Sequence, residues 1–201
     1  LVAWLIGIPA GIISAVKKNS VLDHLFMGVS LMGVSMPVFW AALLFQYIFA
    51  YKLGWFPVSG TNGWSSYVLP SIVLGWSSAG TIARLTRSNL LETLEDDYIR
   101  TAWAKGLGQA GVIVKHAFKN ALLPVITMMA IQVASLLSGA VITESVFAIP
   151  GVGRLAVDAI SSRDMPLLQG TVVFTTILII LGNLLADVLY SVIDPRIRTD
   201  H

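Results

Sequence analysis

Side chains able to hold a metal or move a proton are few and scattered in this sequence. The three histidines, His24, His116 and His201, do not fall into the H-E-x-x-H spacing that sets two imidazoles and a general base on one helix face around zinc. No G-x-S-x-G presents a nucleophilic serine on a strained turn. No G-x-x-x-x-G-K-[ST] loop offers backbone amides and a lysine to a nucleotide's phosphates. Cysteine is absent, which removes disulfides and thiolate metal sites and leaves the redox compartment open. We therefore expect no enzymatic activity and no cofactor bound by this chain.

The carboxylates are more informative. Glu144 closes a long run without charge, and an ionisable group at such depth marks either a transport pathway or a group paired with a base at the membrane interface. Asp187 lies seven residues before Asp194, so both can share a helix face; an ion pair of Asp187 with Arg84 or Arg87 is the plainer reading. Arg154 and Asp158 stand at i,i+4, the spacing of a surface pair on a short helix.

The elements that must position these groups are membrane spans. Of 201 residues, 56% are hydrophobic and 12% charged, and mean hydropathy is +0.79, whereas a soluble domain carries about 25% charged residues. Leu25 to Tyr51, Leu53 to Ala83, Asn120 to Thr143 and Met165 to Ala186 contain no Asp, Glu, Lys or Arg. Each could cross the roughly 30 Å hydrocarbon layer as a helix. A further apolar run, Leu1 to Val16, has no initiator Met before it, and we expect an N-terminal region to be missing. It has neither the preceding basic stretch nor the following cleavage pattern of a signal peptide. The expected architecture is all-α, a single polytopic transmembrane domain over 1–201. Its spans fall at about 1–16, 25–51, 68–87, 124–147 and 168–193, with a cytoplasmic loop over 88–122 and an external segment over 148–167.

Charge sets the orientation. With 17–24, 84–122 and the C-terminus inside, ten basic residues face the cytoplasm: Lys17, Lys18, Arg84, Arg87, Arg100, Lys105, Lys115, Lys119, Arg196 and Arg198. Three remain outside, Lys52, Arg154 and Arg163. Trp55, Trp64 and Tyr67 then fall at the outer interface, where amphipathic rings are favoured. The net charge of +2 thus reflects topology, and no nucleic-acid partner is expected.

Ten of the chain's 24 acidic and basic residues lie between Arg84 and Lys119. Thr93 with Asp96 reads as a capping box opening a helix over about Leu94 to Lys105, and Gly106 supplies a left-handed C-cap with Leu107 as its hydrophobic contact. A second helix begins near Gln109 and ends against Leu123-Pro124, where the next span starts. The expected product is a helix-turn-helix outside the bilayer.

The stretch Tyr98-Ile-Arg-Thr-Ala-Trp-Ala-Lys-Gly106, followed by His116-Ala-Phe-Lys-Asn120-Ala-Leu-Leu-Pro124, resembles the cytoplasmic EAA loop of binding-protein-dependent ABC importer permeases. Arg100-Thr101-Ala102 replaces the Glu-Ala-Ala triplet, a variant similar to the dipeptide, oligopeptide and nickel branch. Pro150-Gly-Val-Gly-Arg154, Arg163-Asp-Met-Pro166 with Gln169-Gly170, and Asp194-Pro-Arg-Ile-Arg198 resemble the same branch, so the similarity runs along nearly the whole chain.

The resemblance implies a type I ABC importer-like permease of six spans in the prokaryotic cytoplasmic (inner) membrane, with its C-terminus cytoplasmic. The implied partners are a second permease, identical or merely similar, two cytoplasmic ATPases that carry ATP and Mg, an extracytoplasmic substrate-binding protein, and membrane lipid. Arg100, Thr101, Ala102, Lys105, Gly106 and Leu107 would couple to the ATPase. Pro150, Gly151, Gly153 and Arg154 would form the external docking or gate element. Glu144 and the mid-span Pro37 are pathway candidates, and Pro37 is expected to kink its helix. Gly28, Ser30, Gly33 and Ser35 are small residues suited to close helix approach. Short peptides are the expected cargo, with nickel complexes, glutathione and sugars as alternatives. The rival reading, an ion-gradient-driven secondary transporter or channel, calls for intramembrane carboxylates or broken helices near the midplane, and the charge-free spans disfavour it.

Overall fold

The computed structural model describes residues 1–137 and 140–193, and among them every regular element is a helix. In order these are α1 (Val2–Val16), α2 (Val21–Ser35), α3 (Val38–Phe45), α4 (Val68–Leu94), α5 (Asp97–Ala104), α6 (Gln109–Gly111), α7 (Phe118–Leu137), α8 (Val141–Val146), α9 (Val152–Ser162) and α10 (Met165–Ile193). A π-helical turn over Gln46–Lys52 extends α3, and another over Val112–Ala117 joins α6 to α7.

The central element is α4, which packs against α1, α2, α3, α7 and α8. Its 27 residues give a rod of about 40 Å at 1.5 Å per residue. Small residues let its neighbours close in, as expected where lipid removes any hydrophobic drive between helices. A Cβ added at Gly7 would lie 2.7 Å from the Ala79 carbonyl oxygen, and one at Gly11 2.6 Å from that of Ala83. On α2, Ser30 and Gly33 are buried toward α4, Gly33 against the Trp76 ring, while Gly28 and Ser35 face outward. Half of that small-residue set therefore serves helix packing within this chain.

Two cores mark the ends of α4. Leu69 and Val73 near its start pack with Ala41, Ala42, Ala50 and Phe147. Leu90 near its finish packs with Ala15, Ile99, Ala102, Val112, Ile113, Ala117 and Ala121. The first core marks the α9 end of the bundle and the second the α5 end.

Several boundaries differ from the sequence expectation. The run expected as one kinked span over 25–51 is two helices bent by 107° at Met36-Pro37. Met36 takes φ −79° and ψ 126°, the extended geometry that a following proline imposes, and Pro37 becomes the N-cap of α3 rather than a mid-helix kink. Thr93 does not cap the next helix: it is buried inside α4, which runs on to Leu94, and Asp96 occupies the N-cap of α5 without a side-chain bond to it. Pro124 does not end a helix either. It sits inside α7, continuous with the turns that begin at Gln109. The stretch expected as a span over 124–147 comprises α7 and the separate short α8.

Two described helices, over Gln109–Leu136 and Met165–Leu184, are long and apolar enough to cross a membrane, and α2 with α3 supplies a third crossing if the bent pair is one span. The side chain of Asp187, and Asp194 with the rest of the Asp194-to-Arg198 ending, lie outside the described residues, as does the ion pair expected of Asp187.

Candidate functional site

At the α5 end, the segment between α4 and α7 folds into a wedge with two faces. Ile99 and Ala102 point inward onto Val112, Ala117 and Leu90. Tyr98, Trp103 and Leu107 remain 41%, 42% and 41% exposed, with Arg100, Thr101 and Lys105 beside them on the surface. The helix stops through a Schellman pair. The Gly106 N–H donates to the Trp103 carbonyl at 2.9 Å and the Leu107 N–H to that of Ala102 at 3.4 Å. Gly106 takes φ +77°, open to glycine at little cost, and no atom lies within 4 Å of where a Cβ would stand. The conformation alone therefore selects glycine. Leu107 follows the turn and is 41% exposed.

One hydrogen bond fastens the wedge across its two halves. Asn120 Nδ2 donates to the Tyr98 hydroxyl at 2.7 Å, joining the two halves of the motif across 22 positions. Arg100 meets Asp97 at 3.4 Å, but both side chains are largely exposed and such a pair adds little stability.

A bidentate ion pair above the wedge was not foreseen. Arg87 Nε and Nη2 donate to the two oxygens of Asp23, each at 2.7 Å. Asp23 also accepts from the Ser14 hydroxyl at 2.7 Å and the Asn19 N–H at 2.9 Å, so its buried carboxylate is fully engaged. Arg87, one of two partners expected for Asp187, is thus taken by Asp23. A signal existed: Asp23 is the sole acid before Glu92, and a lone acid beside an apolar run needs a partner.

At the α9 end, Glu144 does not stand free, and among the described residues it pairs with no basic side chain. Its carboxylate accepts the Arg154 N–H at 2.8 Å and the Ala140 N–H at 3.0 Å. Gly151 is the N-cap of α9 and Arg154 its third helical residue, so Glu144 caps α9 from another helix. The Arg154 guanidinium turns instead to Asp158 at 3.8 Å, the expected i,i+4 pair. Pro150 is exposed, whereas Gly153 is buried against Val141 and Glu144. Gln46, also missed, donates to the Val58 carbonyl at 2.7 Å and to that of Val146 at 3.3 Å, and the Gly60 N–H donates to the Phe147 carbonyl at 3.0 Å. Pro37 lies on the surface, while its neighbours Met36 and Val38 pack against the core at the α9 end.

Among the described residues no three His, Asp or Glu gather to hold a metal. An all-helical body with membrane-length apolar helices, an exposed wedge at one end and a capped surface helix at the other defines a helical membrane protein. Residues 7–199 match the family described as binding-protein-dependent transport system inner membrane component, and the chain belongs to that family. It is 46% identical to the dipeptide transport system permease protein DppB of Alkalihalophilus pseudofirmus, over 98% of this chain and 67% of that one. It is 43% identical to the di/tripeptide transport system permease protein DppB of Pseudomonas aeruginosa, with the same coverage. Identity to the glutathione transport system permease protein GsiC of Escherichia coli K12 is 43%, over 98% of this chain and 64% of that one. The chain thus spans about two thirds of the length of these relatives. Its fold is similar to that of a chain of the inward-facing MetNI methionine ABC transporter, with TM-score 0.76 at 17% identity over 96% of this chain and 88% of that one.

Proposed function

We propose that this chain is the permease subunit of an ATP-driven importer for di- or oligopeptides, lining the pathway together with a second permease subunit. The observation that carries the reading is the wedge. Its inner face is packed and hydrogen-bonded, while Tyr98, Trp103 and Leu107 present an apolar and aromatic surface around a fixed left-handed turn, with Lys105 at its edge. Such a rigid, exposed cluster suits insertion into a partner's groove. The sequence holds no phosphate loop, so the partner is taken to be the ATPase, with ATP and Mg bound there.

On this reading the α5 end and the C-terminus are cytoplasmic. Pro150 to Arg154 and α9 face outward, toward the binding protein. Peptide cargo is supported by the names of the relatives, which specify dipeptides, di- and tripeptides, and glutathione, itself a tripeptide. Competition settles the cargo class. In the reconstituted complex, uptake of a labelled dipeptide should be suppressed by unlabelled di- and tripeptides and left intact by nickel complexes and sugars. Suppression by nickel complexes or sugars, with none by peptides, would replace the peptide assignment.

A further inference from the structure

We propose that Glu144 is a positioning residue, a latch that fixes the surface helix α9 to α8 and hence to the end of the bundle. The side chain stands within a notch that only glycines leave open. A Cβ at Gly151 would overlap the Glu144 carboxylate well inside contact distance, and one at Gly153 would lie 3.0 Å from Glu144 Oε2 and 2.6 Å from Val141 Cγ2. Gly151 itself has φ −107° and ψ 170°, an extended geometry open to any residue. A side chain at Gly151 would therefore have to displace the neighbouring carboxylate, although the backbone itself admits any residue. Both carboxylate oxygens are used, one on the Arg154 N–H and one on the Ala140 N–H, so a single side chain holds the start of α9 and closes the first turn of its own helix.

The latch has a rigid anchor. Phe147 at the end of α8 is 1% exposed in the core with Ala41, Ala42, Leu69 and Val73. Gln46 holds the Val146 carbonyl, and Phe147 accepts the Gly60 N–H. Force applied to α9 is thereby delivered through Glu144 to α3 and α4. In transport this rests on the reading of α9 as the binding-protein side, and the two ideas are separable.

The test uses the complete complex in lipid nanodiscs, spin-labelled at Ser161→Cys on α9 and Thr61→Cys on the 58–61 loop, both exposed positions in a chain without cysteine of its own. Against a Glu144 background that gives a narrow distance distribution, Glu144→Ala should broaden it. Gly151→Ala should do the same while leaving the carboxylate in the chain. The double variant Glu144→Ala/Gly151→Ala should be no broader than Glu144→Ala alone, because the collision partner is gone. In transport, the half-saturating concentration of binding protein should rise roughly tenfold in Glu144→Ala, the effect of losing one charge-assisted hydrogen bond expressed wholly in docking, with the maximal rate little changed. Distances unchanged in both single variants, or single effects that simply add in the double, would overturn the latch. Broadened distances with an unaltered binding-protein requirement would uphold the latch and remove α9 from docking.

Discussion

Asp23 and Arg87, 64 positions apart, meet in a two-pronged ion pair with both N···O distances at 2.7 Å. It ties the first turn of α2 to the last third of α4, directly above the wedge. The Asp23 side chain is 4% exposed and that of Arg87 25%, so the pair sits at the edge of the packed interior rather than deep within it. Ser14 from α1 joins the same carboxylate, so three helices share one charge.

Removing one partner should be worse than removing both. Arg87→Ala leaves a buried carboxylate with only neutral donors, and should lower unfolding stability by roughly 2–4 kcal/mol, toward the low side of fully buried pairs because Arg87 is partly solvated. Asp23→Asn with Arg87→Gln should recover part of that loss. Melting of the detergent-solubilised complex reads both; equal melting of wild type and Arg87→Ala would show that the pair contributes nothing.

Gly106 should distinguish coupling from stability. Valine at φ +77° is strongly disfavoured, whereas asparagine tolerates the left-handed region. Because no atom lies near its Cβ position, Gly106→Asn should keep most activity and Gly106→Val should lose stimulated ATP hydrolysis and uptake. The local cost for valine, about 1 kcal/mol or somewhat more, is too small to prevent insertion. Normal coupling in Gly106→Val would reduce the wedge to an ordinary surface turn.

The helix contacts of α4 predict sharp intolerance at a glycine. A side chain at Gly11 meets the Ala83 carbonyl and Thr86, both held by the α4 backbone, so Gly11→Leu must push α1 away. Gly28→Leu, on the same end of the bundle but facing open space, should be tolerated. Expression of folded protein by size-exclusion profile checks the contrast, and equal profiles for the two variants would contradict the close packing of α1 on α4.

Orientation is accessible because the chain has no cysteine. Lys105 and Arg163 are both exposed, at the wedge and at the end of α9. An impermeant thiol reagent added to intact cells should label Arg163→Cys and spare Lys105→Cys. The reverse pattern would invert the topology.

Much of this was legible in local chemistry. Gly106 announces its left-handed turn because no other residue type adopts it so cheaply, and Arg154 with Asp158 shows its pair by spacing alone. What local reading missed depends on distant partners. Thr93 looks like a cap because Asp96 follows it, yet α4 continues through it since its side is packed inside the bundle. The capping role of Glu144 was hidden because its partners are backbone N–H groups, which no sequence pattern displays. Asp23, the sole acid before Glu92, shows that it needs a partner, but only the packing of α2 on α4 makes that partner Arg87.

The central claim, a permease driven by a partner's ATP hydrolysis and supplied by a binding protein, is tested most directly in proteoliposomes. The complete complex is reconstituted with ATP and Mg enclosed on the side of the wedge and binding protein with labelled dipeptide on the side of α9. Peptide should accumulate only when ATP, its hydrolysis and the binding protein are all present, and collapse of proton and sodium gradients should leave the rate unchanged. Accumulation that persists without ATP and disappears when those gradients are collapsed would contradict the account and establish a secondary transporter instead.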